Sequence, residues 1–229
     1  METVGIDTVW VLISAALVFL MQAGFGMVES GFTRAKNACN LMMKNFMDFC
    51  IAAVSFFICG YAFMFGGDGP FIGTSGFLMG PDAPNPSGVP TLAFWMFQAV
   101  FVGAAATIVA GAVAERIKFR AYLIYTIPLS ALIYPLIGHW IWGGGWISKM
   151  GFGDFAGSTV VHATGGFAGL MGAWILGPRI GKFKPDGTPN FIAGHNIPIA
   201  ALGVFLLWFG WFGFNAGSNL GSATAKPSR

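Results

Sequence analysis

The amino-acid sequence predicts an all-α polytopic membrane protein, and three observations support that fold class. Only 9% of the 229 residues are charged while 55% are hydrophobic, and the mean hydropathy is +0.70, which excludes an ordinary soluble domain. Six apolar stretches reach or approach the roughly 20 residues that a membrane-spanning helix needs. The 24 Phe and 34 Gly residues fit a bundle whose helices approach one another closely.

The six predicted spans lie near residues 8–28, 46–65, 91–114, 121–142, 157–177 and 197–217. Acidic Glu2 and Asp7 stand where a signal peptide has basic residues, so the first apolar run is predicted to be a retained transmembrane helix. Residues 66–90 contain no basic residue and are rich in Gly and Pro, which predicts an irregular loop. This loop either connects two helices and does nothing more, or it caps a vestibule.

The basic residues predict the topology. Nine of the twelve Lys and Arg residues follow the first, third or fifth span, and the positive-inside rule assigns that side to the cytoplasm. The N-terminus and residues 222–229 are therefore expected outside, in a multi-pass protein of the cell membrane. The nine are Arg34, Lys36, Lys44, Arg116, Lys118, Arg120, Arg179, Lys182 and Lys184, and the other three are Lys149, Lys226 and Arg229.

Several functional classes find no support in the sequence. The three cysteines lack the paired spacing of a zinc site, so no metal and no cofactor is predicted. The net charge of +3 is too small and too scattered to favour a nucleic-acid partner. His139, His162 and His195 fall at different ends of helices without an H-E-x-x-H or a Ser-centred motif, so no catalytic residue and no enzyme is predicted.

His162 is an ionisable residue inside the apolar, glycine-studded segment DFAGSTVVHATGGFAGLMG, Asp154–Gly172. Such groups are costly in the hydrocarbon region and usually face a bundle interior or a water-filled path. The alternative is a neutral imidazole that is hydrogen-bonded across helices and serves packing alone. Gly165, Gly169 and Ala173 form a row of small residues on this helix, which is expected to receive a neighbouring helix closely.

Aromatic and polar side chains share the outer half of the bundle with this histidine. Phe97 and Phe101 lie at i and i+4 on one face of the third span, Trp142 ends the fourth, and Phe214 and Ser218 lie near the outer end of the sixth. For a small cation, the indole offers a cation–π contact, the hydroxyl an acceptor, the phenyl rings a dry constriction, and the imidazole proton exchange. The ordinary alternatives are an interfacial Trp, core or lipid-facing Phe, and a Ser that ends a helix.

Six sequence strings carry a family resemblance. FQAVF, GAVAERIKF, HWIWGGGW, DFAGSTVVH and WFGFNAGS, together with the early run QAGFGMVESGFTRAKN, resemble the ammonium transporter family, the Amt/Mep/Rh group, in its bacterial form. The strings occur in the family's order over essentially the whole chain. The resemblance implies a homotrimer in which each subunit has its own pore for ammonium or ammonia.

The resemblance also implies roles for the candidate residues. Trp142, Phe97 and Ser218 match the external recruitment site that binds ammonium, and Phe101 and Phe214 match the paired phenyl gate.

Two further residues are implied to act at the fifth helix. His162 matches the first of two pore-lining histidines that take part in deprotonation or proton relay. Asp154 matches the acidic residue at the start of that helix, which supports the local backbone and acts on the cation site indirectly. An Asp at a helix N-terminus can accept unpaired N–H groups and favours nearby positive charge. Direct binding of the cation by Asp154 is the alternative.

The chain departs from the family in length. Family members have eleven spanning helices, built as two inverted five-helix halves plus a last helix. Residues 1–229 supply the first half and one helix of the second, so they are expected to be one incomplete ammonium-transporter transmembrane domain, from a fragment or a truncated product, with the fragment favoured.

The expected partners are ammonium or ammonia, the lipid bilayer, further copies in a homotrimer, and a PII-type signalling protein at the cytoplasmic face. The predicted function is ammonium transport; the alternative is an ammonium sensor or regulatory module that binds ammonium without efficient transport.

Overall fold

The computed structural model describes residues 2–221, and within them six helices are long and apolar enough to cross a membrane. These first to sixth spans are Thr3–Phe32, Ala35–Phe65, Thr91–Ala112, Phe119–Lys149, Ser158–Leu176 and Ile197–Ala216. The predicted all-α, six-span membrane architecture is confirmed. Residues 222–229, with Lys226 and Arg229, lie outside the described residues.

The spans combine α-helical and π-helical segments. The α-helical segments are Glu2–Phe32, Ala38–Ser55, Tyr61–Phe65, Thr91–Ala112, Phe119–Pro128, Tyr134–Ile141, Trp146–Lys149, Thr164–Leu176 and Ile197–Trp211. The π-helical segments within residues 2–221 are Phe56–Gly60, Leu129–Ile133, Ser158–Ala163 and Phe212–Ala216. Short 3₁₀ turns occur at Ala35–Asn37 and Phe77–Met79. π-Helical turns are rare and frequently occur at functional sites.

The third span lies at the centre of the bundle. Most of its side chains between Ala93 and Ala110 are buried, and it contacts the first, second and fifth spans. The fifth and sixth spans instead present large apolar side chains outward, as lipid or a neighbouring protein surface requires. Examples are Phe167, Trp174, Phe205 and Trp208.

The small-residue row of the fifth span packs against the third span. A Cβ added at Gly165 would lie 2.8 Å from the backbone oxygen of Ala105, and one at Gly169 would lie 3.1 Å from the Cβ of Ala112. The predicted close approach of a neighbouring helix is confirmed. This contact fixes the helix that carries His162.

The predicted position of Lys44 in a loop after the first span is wrong. The second span begins at Ala35, not near residue 46, so Lys44 lies inside a helix, where it is 1% exposed. Its ammonium reaches the carbonyl of Ile117 at 3.4 Å, near the predicted cytoplasmic end. Polar residues lower the local hydropathy, so the predicted second span was too short at its start. In the bundle these polar residues find hydrogen-bond partners. Asp48, for example, accepts hydrogen bonds from Gln22, Thr107 and Tyr122.

Glu115 joins three loops at one end of the bundle. Its carboxylate accepts hydrogen bonds from Arg34 Nε at 2.8 Å, Asn37 Nδ2 at 2.6 Å and an Arg179 guanidinium nitrogen at 2.6 Å. Burial alone would raise the pKa of the Glu115 carboxyl, but the bonds from Arg34, Arg179 and Asn37 outweigh it and lower the pKa to about 2. The loops after the first, third and fifth spans therefore meet at the same end.

His139 holds the 66–90 loop at the opposite end. Its Nδ1 lies 2.8 Å from the carbonyl oxygen of Met64, and its Nε2 lies 2.7 Å from that of Gly69. The ring is fully buried. The loop is thereby fixed against the fourth span, next to the cavity described below.

Candidate functional site

A cavity of about 730 Å³ opens at the end of the bundle that carries the 66–90 loop. Pro86 and Ser87 of that loop form part of the wall of this cavity, called the vestibule below, so the loop does more than connect two helices. The cavity wall also brings together five of the seven side chains predicted from the sequence, which are Phe97, Phe101, Trp142, Asp154 and Ser218.

Stacked phenyl rings close the inner side of the cavity. The ring centroids of Phe101 and Phe214 are 4.1 Å apart with an interplanar angle of 27°, and the ring of Phe97 lies 4.7 Å from that of Phe101. All three side chains are at most 2% exposed. The contact between rings from the third and sixth spans forms a buried constriction beneath the vestibule.

His162 lies on the far side of this constriction. Its imidazole stacks on Phe214 with centroids 5.4 Å apart and an interplanar angle of 27°. The three rings therefore follow in the order Phe101, Phe214, His162. No hydrogen bond to the imidazole is formed within residues 2–221, so the alternative of a hydrogen-bonded packing histidine finds no partner there.

Both partners of the inner contact lie in π-helical segments. His162 belongs to Ser158–Ala163 and Phe214 to Phe212–Ala216. The backbone N–H of His162 bonds to the carbonyl of Gly157, five residues earlier, at 2.9 Å. Gly157 has φ +101°, and a Cβ there would lie 2.6 Å from Val161. The wider turn sets the direction in which the imidazole leaves the helix.

Asp154 organises the start of the fifth span. Its Oδ1 accepts the backbone N–H groups of Gly157 and Ser158 at 2.7 and 2.9 Å, and its Oδ2 accepts those of Thr159 and Val160 at 2.8 and 2.9 Å. These are the unpaired donors of a helix N-terminus. Both carboxylate oxygens accept hydrogen bonds from the backbone. This geometry fits support of the helix start better than direct binding of a cation by Asp154.

Trp142 and Ser218 contribute the polar groups of the outer wall. The indole of Trp142 packs edge-on against Phe101, with centroids 6.1 Å apart, and its Nε1 donates to the backbone carbonyl of Asp154 at 2.6 Å. The hydroxyl of Ser218 donates to the carbonyl of Phe214 at 2.8 Å. Because that bond uses the hydroxyl proton, the oxygen of Ser218 can still accept a proton donor from the cavity.

The cavity wall includes three polar side chains that the sequence analysis did not single out, Ser87, Gln98 and Asn219. Gln98 lies within the string FQAVF, and it is the only amide side chain in the third span. A single amide in a largely apolar helix was the sequence signal that could have identified Gln98. Only the neighbouring phenylalanines Phe97 and Phe101 were considered in the sequence analysis.

Comparisons with known proteins agree on one family. A family model described as Ammonium Transporter Family matches residues 9–228. Ammonium transporter Amt2 of Archaeoglobus fulgidus is 51% identical over 97% of this chain and 49% of its own length. A putative ammonium transporter of Synechocystis sp. is 46% identical over 95% of this chain and 50% of its own length.

Comparison with solved structures indicates the same family. The structure named Sensor Amt Protein superposes with a TM-score of 0.93 at 44% identity, covering 98% of this chain and 57% of that chain. Candida albicans Mep2 superposes with a TM-score of 0.84 at 33% identity, covering 95% of this chain and 49% of that chain. The chain spans about half the length of the curated relatives it matches. With a family model matched over nearly all of its residues, this chain belongs to the ammonium transporter family.

Proposed function

We propose that residues 1–229 form one transmembrane domain that carries the outer part of a pathway for ammonium or ammonia. The observation that carries this proposal is the stack of Phe101, Phe214 and His162 directly beneath a vestibule walled by Trp142 and Ser218. The relatives named as ammonium transporters support the same substrate. The family resemblance supports transport without chemical conversion of the substrate.

The cation first binds in the vestibule, before it reaches the constriction formed by Phe101 and Phe214. The Trp142 ring attracts a small cation by about 0.5–2 kcal/mol, according to how far the cation is desolvated. The oxygen of Ser218 accepts one of the cation's N–H groups, and Phe97 excludes water beside it. Asp154 supports both the indole and the helix start without touching the cation.

The stacked rings then select what passes. An alkali ion finds no group between Phe101 and Phe214 that replaces its water, whereas ammonium can leave a proton behind and cross as neutral ammonia. His162, beyond the rings, is a side chain suited to proton exchange near neutral pH. Passage as the cation and passage as ammonia with a separately relayed proton are both compatible with this arrangement.

The proposal extends to topology and assembly. The basic loops that Glu115 gathers at one end support a cytoplasmic assignment for that end, which puts the N-terminus outside. The same basic face suits a PII-type signalling protein, and the outward apolar faces suit a homotrimer in the cell membrane. The remainder of an eleven-helix fold would supply the other wall of the pathway.

A sensor function is the second candidate, because the structural similarity to the protein named Sensor Amt Protein is high. In that case the vestibule binds ammonium and the bundle passes the signal on without efficient transport. The two functions differ in flux and not in the first binding step.

Uptake measurements separate these functions. The full-length open reading frame that contains this chain is expressed in cells that lack their own ammonium transporters, and methylammonium uptake is compared with empty-vector cells. The proposal expects saturable uptake that ammonium suppresses and that equal concentrations of sodium or potassium do not. Specific binding of methylammonium without uptake would favour the sensor, and uptake equal to the empty vector without binding would contradict both functions.

A further inference from the structure

Gln98 occupies the wall of the vestibule between the two aromatic levels of the third span. It follows Phe97 directly and lies three residues before Phe101, on the helix face that also carries Phe94. Its side chain is therefore close to the place where the proposed substrate stops above the constriction. The residue is only 6% exposed.

Among the described residues, the side-chain amide of Gln98 finds no hydrogen-bond partner. Within residues 2–221 its Oε1 is buried and has no hydrogen-bond partner, and its Nε2 forms no hydrogen bond there either. A buried amide oxygen without a partner costs free energy, and most buried polar atoms do have one. The terminal torsion of Gln is broad, so an unbonded amide can rotate to present its oxygen to the cavity.

Ser87 provides an instructive contrast in the same wall. It is 4% exposed, but its hydroxyl donates to Asn85 Oδ1 at 2.7 Å and accepts from the backbone N–H of Val89 at 3.4 Å. Ser87 is thus a polar wall residue whose partners lie within the loop. Gln98 is a polar wall residue whose side-chain carbonyl has no partner in the part of the chain that the structure describes.

We propose that Gln98 is a further substrate-binding residue, whose side-chain carbonyl accepts an N–H of the ammonium or primary alkylammonium ion held in the vestibule. A positively charged donor is the ligand that best satisfies an amide carbonyl in an aromatic cavity. The carbonyl would act beside Trp142 and Ser218 and would favour cations that carry N–H groups. This inference rests on the proposed function only for the identity of the substrate class.

A binding measurement on purified full-length protein tests the inference without depending on transport. Methylammonium chloride is titrated against the protein in detergent, with sodium chloride at equal ionic strength as the reference. Gln98→Met keeps the length of the side chain and removes the acceptor, and we expect its Kd to rise about 10-fold, as for the loss of one hydrogen bond to a charged group. Gln98→Glu keeps an acceptor and should bind at least as tightly as the natural protein. Asn190→Ala removes an amide in the exposed loop between the fifth and sixth spans; it is the control and should bind as the natural protein does.

The outcomes separate the two proposals. Unchanged affinity in Gln98→Met would overturn the role of Gln98, and so would an equal loss in Gln98→Glu, which would indicate packing alone. Should Gln98→Met fail to fold, weaker binding by Gln98→Glu than by the natural protein would overturn it by itself. Absence of binding by the natural protein would overturn it as well. Intact binding with the expected Gln98 pattern but without uptake would contradict the transport proposal and leave this inference standing.

Discussion

The indole Nε1 of Trp142 donates a hydrogen bond of 2.6 Å to the backbone carbonyl of Asp154. The carboxylate of Asp154 in turn accepts four backbone N–H groups at the start of the fifth span. One residue therefore fixes both the outer aromatic ring and the helix that carries His162. Loss of the carboxylate would release the start of the fifth span and, through it, the backbone carbonyl that holds the Trp142 ring.

Asp154→Ala should impair transport although the side chain need not touch the substrate. The substitution leaves four backbone donors without their acceptor, and the loss of a helix cap costs about 0.5–2 kcal/mol. We expect a lower melting temperature and a loss of most methylammonium uptake in the full-length protein. Asp154→Asn, which keeps one acceptor oxygen, should be intermediate in both measurements.

Asp186→Ala is the matched control for that experiment. Asp186 accepts the backbone N–H of Thr188 at 2.9 Å in an exposed loop between the fifth and sixth spans. Its removal should leave uptake and melting temperature close to those of the natural protein. Equal behaviour of Asp154→Ala and Asp186→Ala would contradict the organising role of Asp154.

Gly165→Leu should disrupt the bundle more than the same change at a glycine in open space. Its added Cβ would lie 2.8 Å from a backbone oxygen of the third span, which cannot move aside as a flexible side chain can. Overpacking of this kind costs about 1–3 kcal/mol. The measurement is the melting temperature and yield of detergent-solubilised protein. Gly5→Leu is the control, because a Cβ at Gly5 would meet no atom within 4 Å apart from its own chain neighbours and nearby helix backbone. Equal melting temperatures for the two variants would refute this packing contact.

Glu115 should make the stability of the loops that it joins at one end of the bundle pH-dependent. Its folded-state pKa of about 2 lies below the ordinary value of 4.5, so the stabilisation is fully present above pH 4.5 and is lost as the pH falls towards 2. Glu115→Gln should therefore lower the melting temperature at pH 6, by the equivalent of about 1–3 kcal/mol. The difference from the natural protein should shrink between pH 4.5 and pH 2. A difference that stays constant over this range would show that the carboxylate is not the stabilising species.

Much of the fold was predictable because hydropathy depends on local composition. The six spans follow from apolar runs, and the close contact of the fifth and third spans follows from the spacing of Gly165 and Gly169. The start of the second span was not predictable in the same way. Lys44 and Asp48 lower the local hydropathy, and the partners that stabilise Asp48 include Tyr122, 74 residues away.

The residues of the candidate site could be predicted from the sequence, but the contacts between their side chains could not. The i, i+4 spacing placed Phe97 and Phe101 on one face, and the structure brings their rings to 4.7 Å. Whether Phe101 meets Phe214, and whether Phe214 meets His162, depends on the rotation of three separate helices. Two of these helices contain π-helical turns at the contacting residues, and their i to i−5 bonds leave no sequence pattern. Those contacts had to come from the structure.

The most direct test of the pathway is the concentration dependence of methylammonium uptake by the full-length natural protein, Trp142→Leu and His162→Ala. Trp142 lies on the vestibule side of the Phe101–Phe214 stack and His162 on the other side. The account predicts that Trp142→Leu raises KM several-fold by weakening the first binding step. It also predicts that His162→Ala lowers the maximal rate at least 10-fold with KM nearly unchanged. Natural KM and maximal rate in both variants would contradict the pathway.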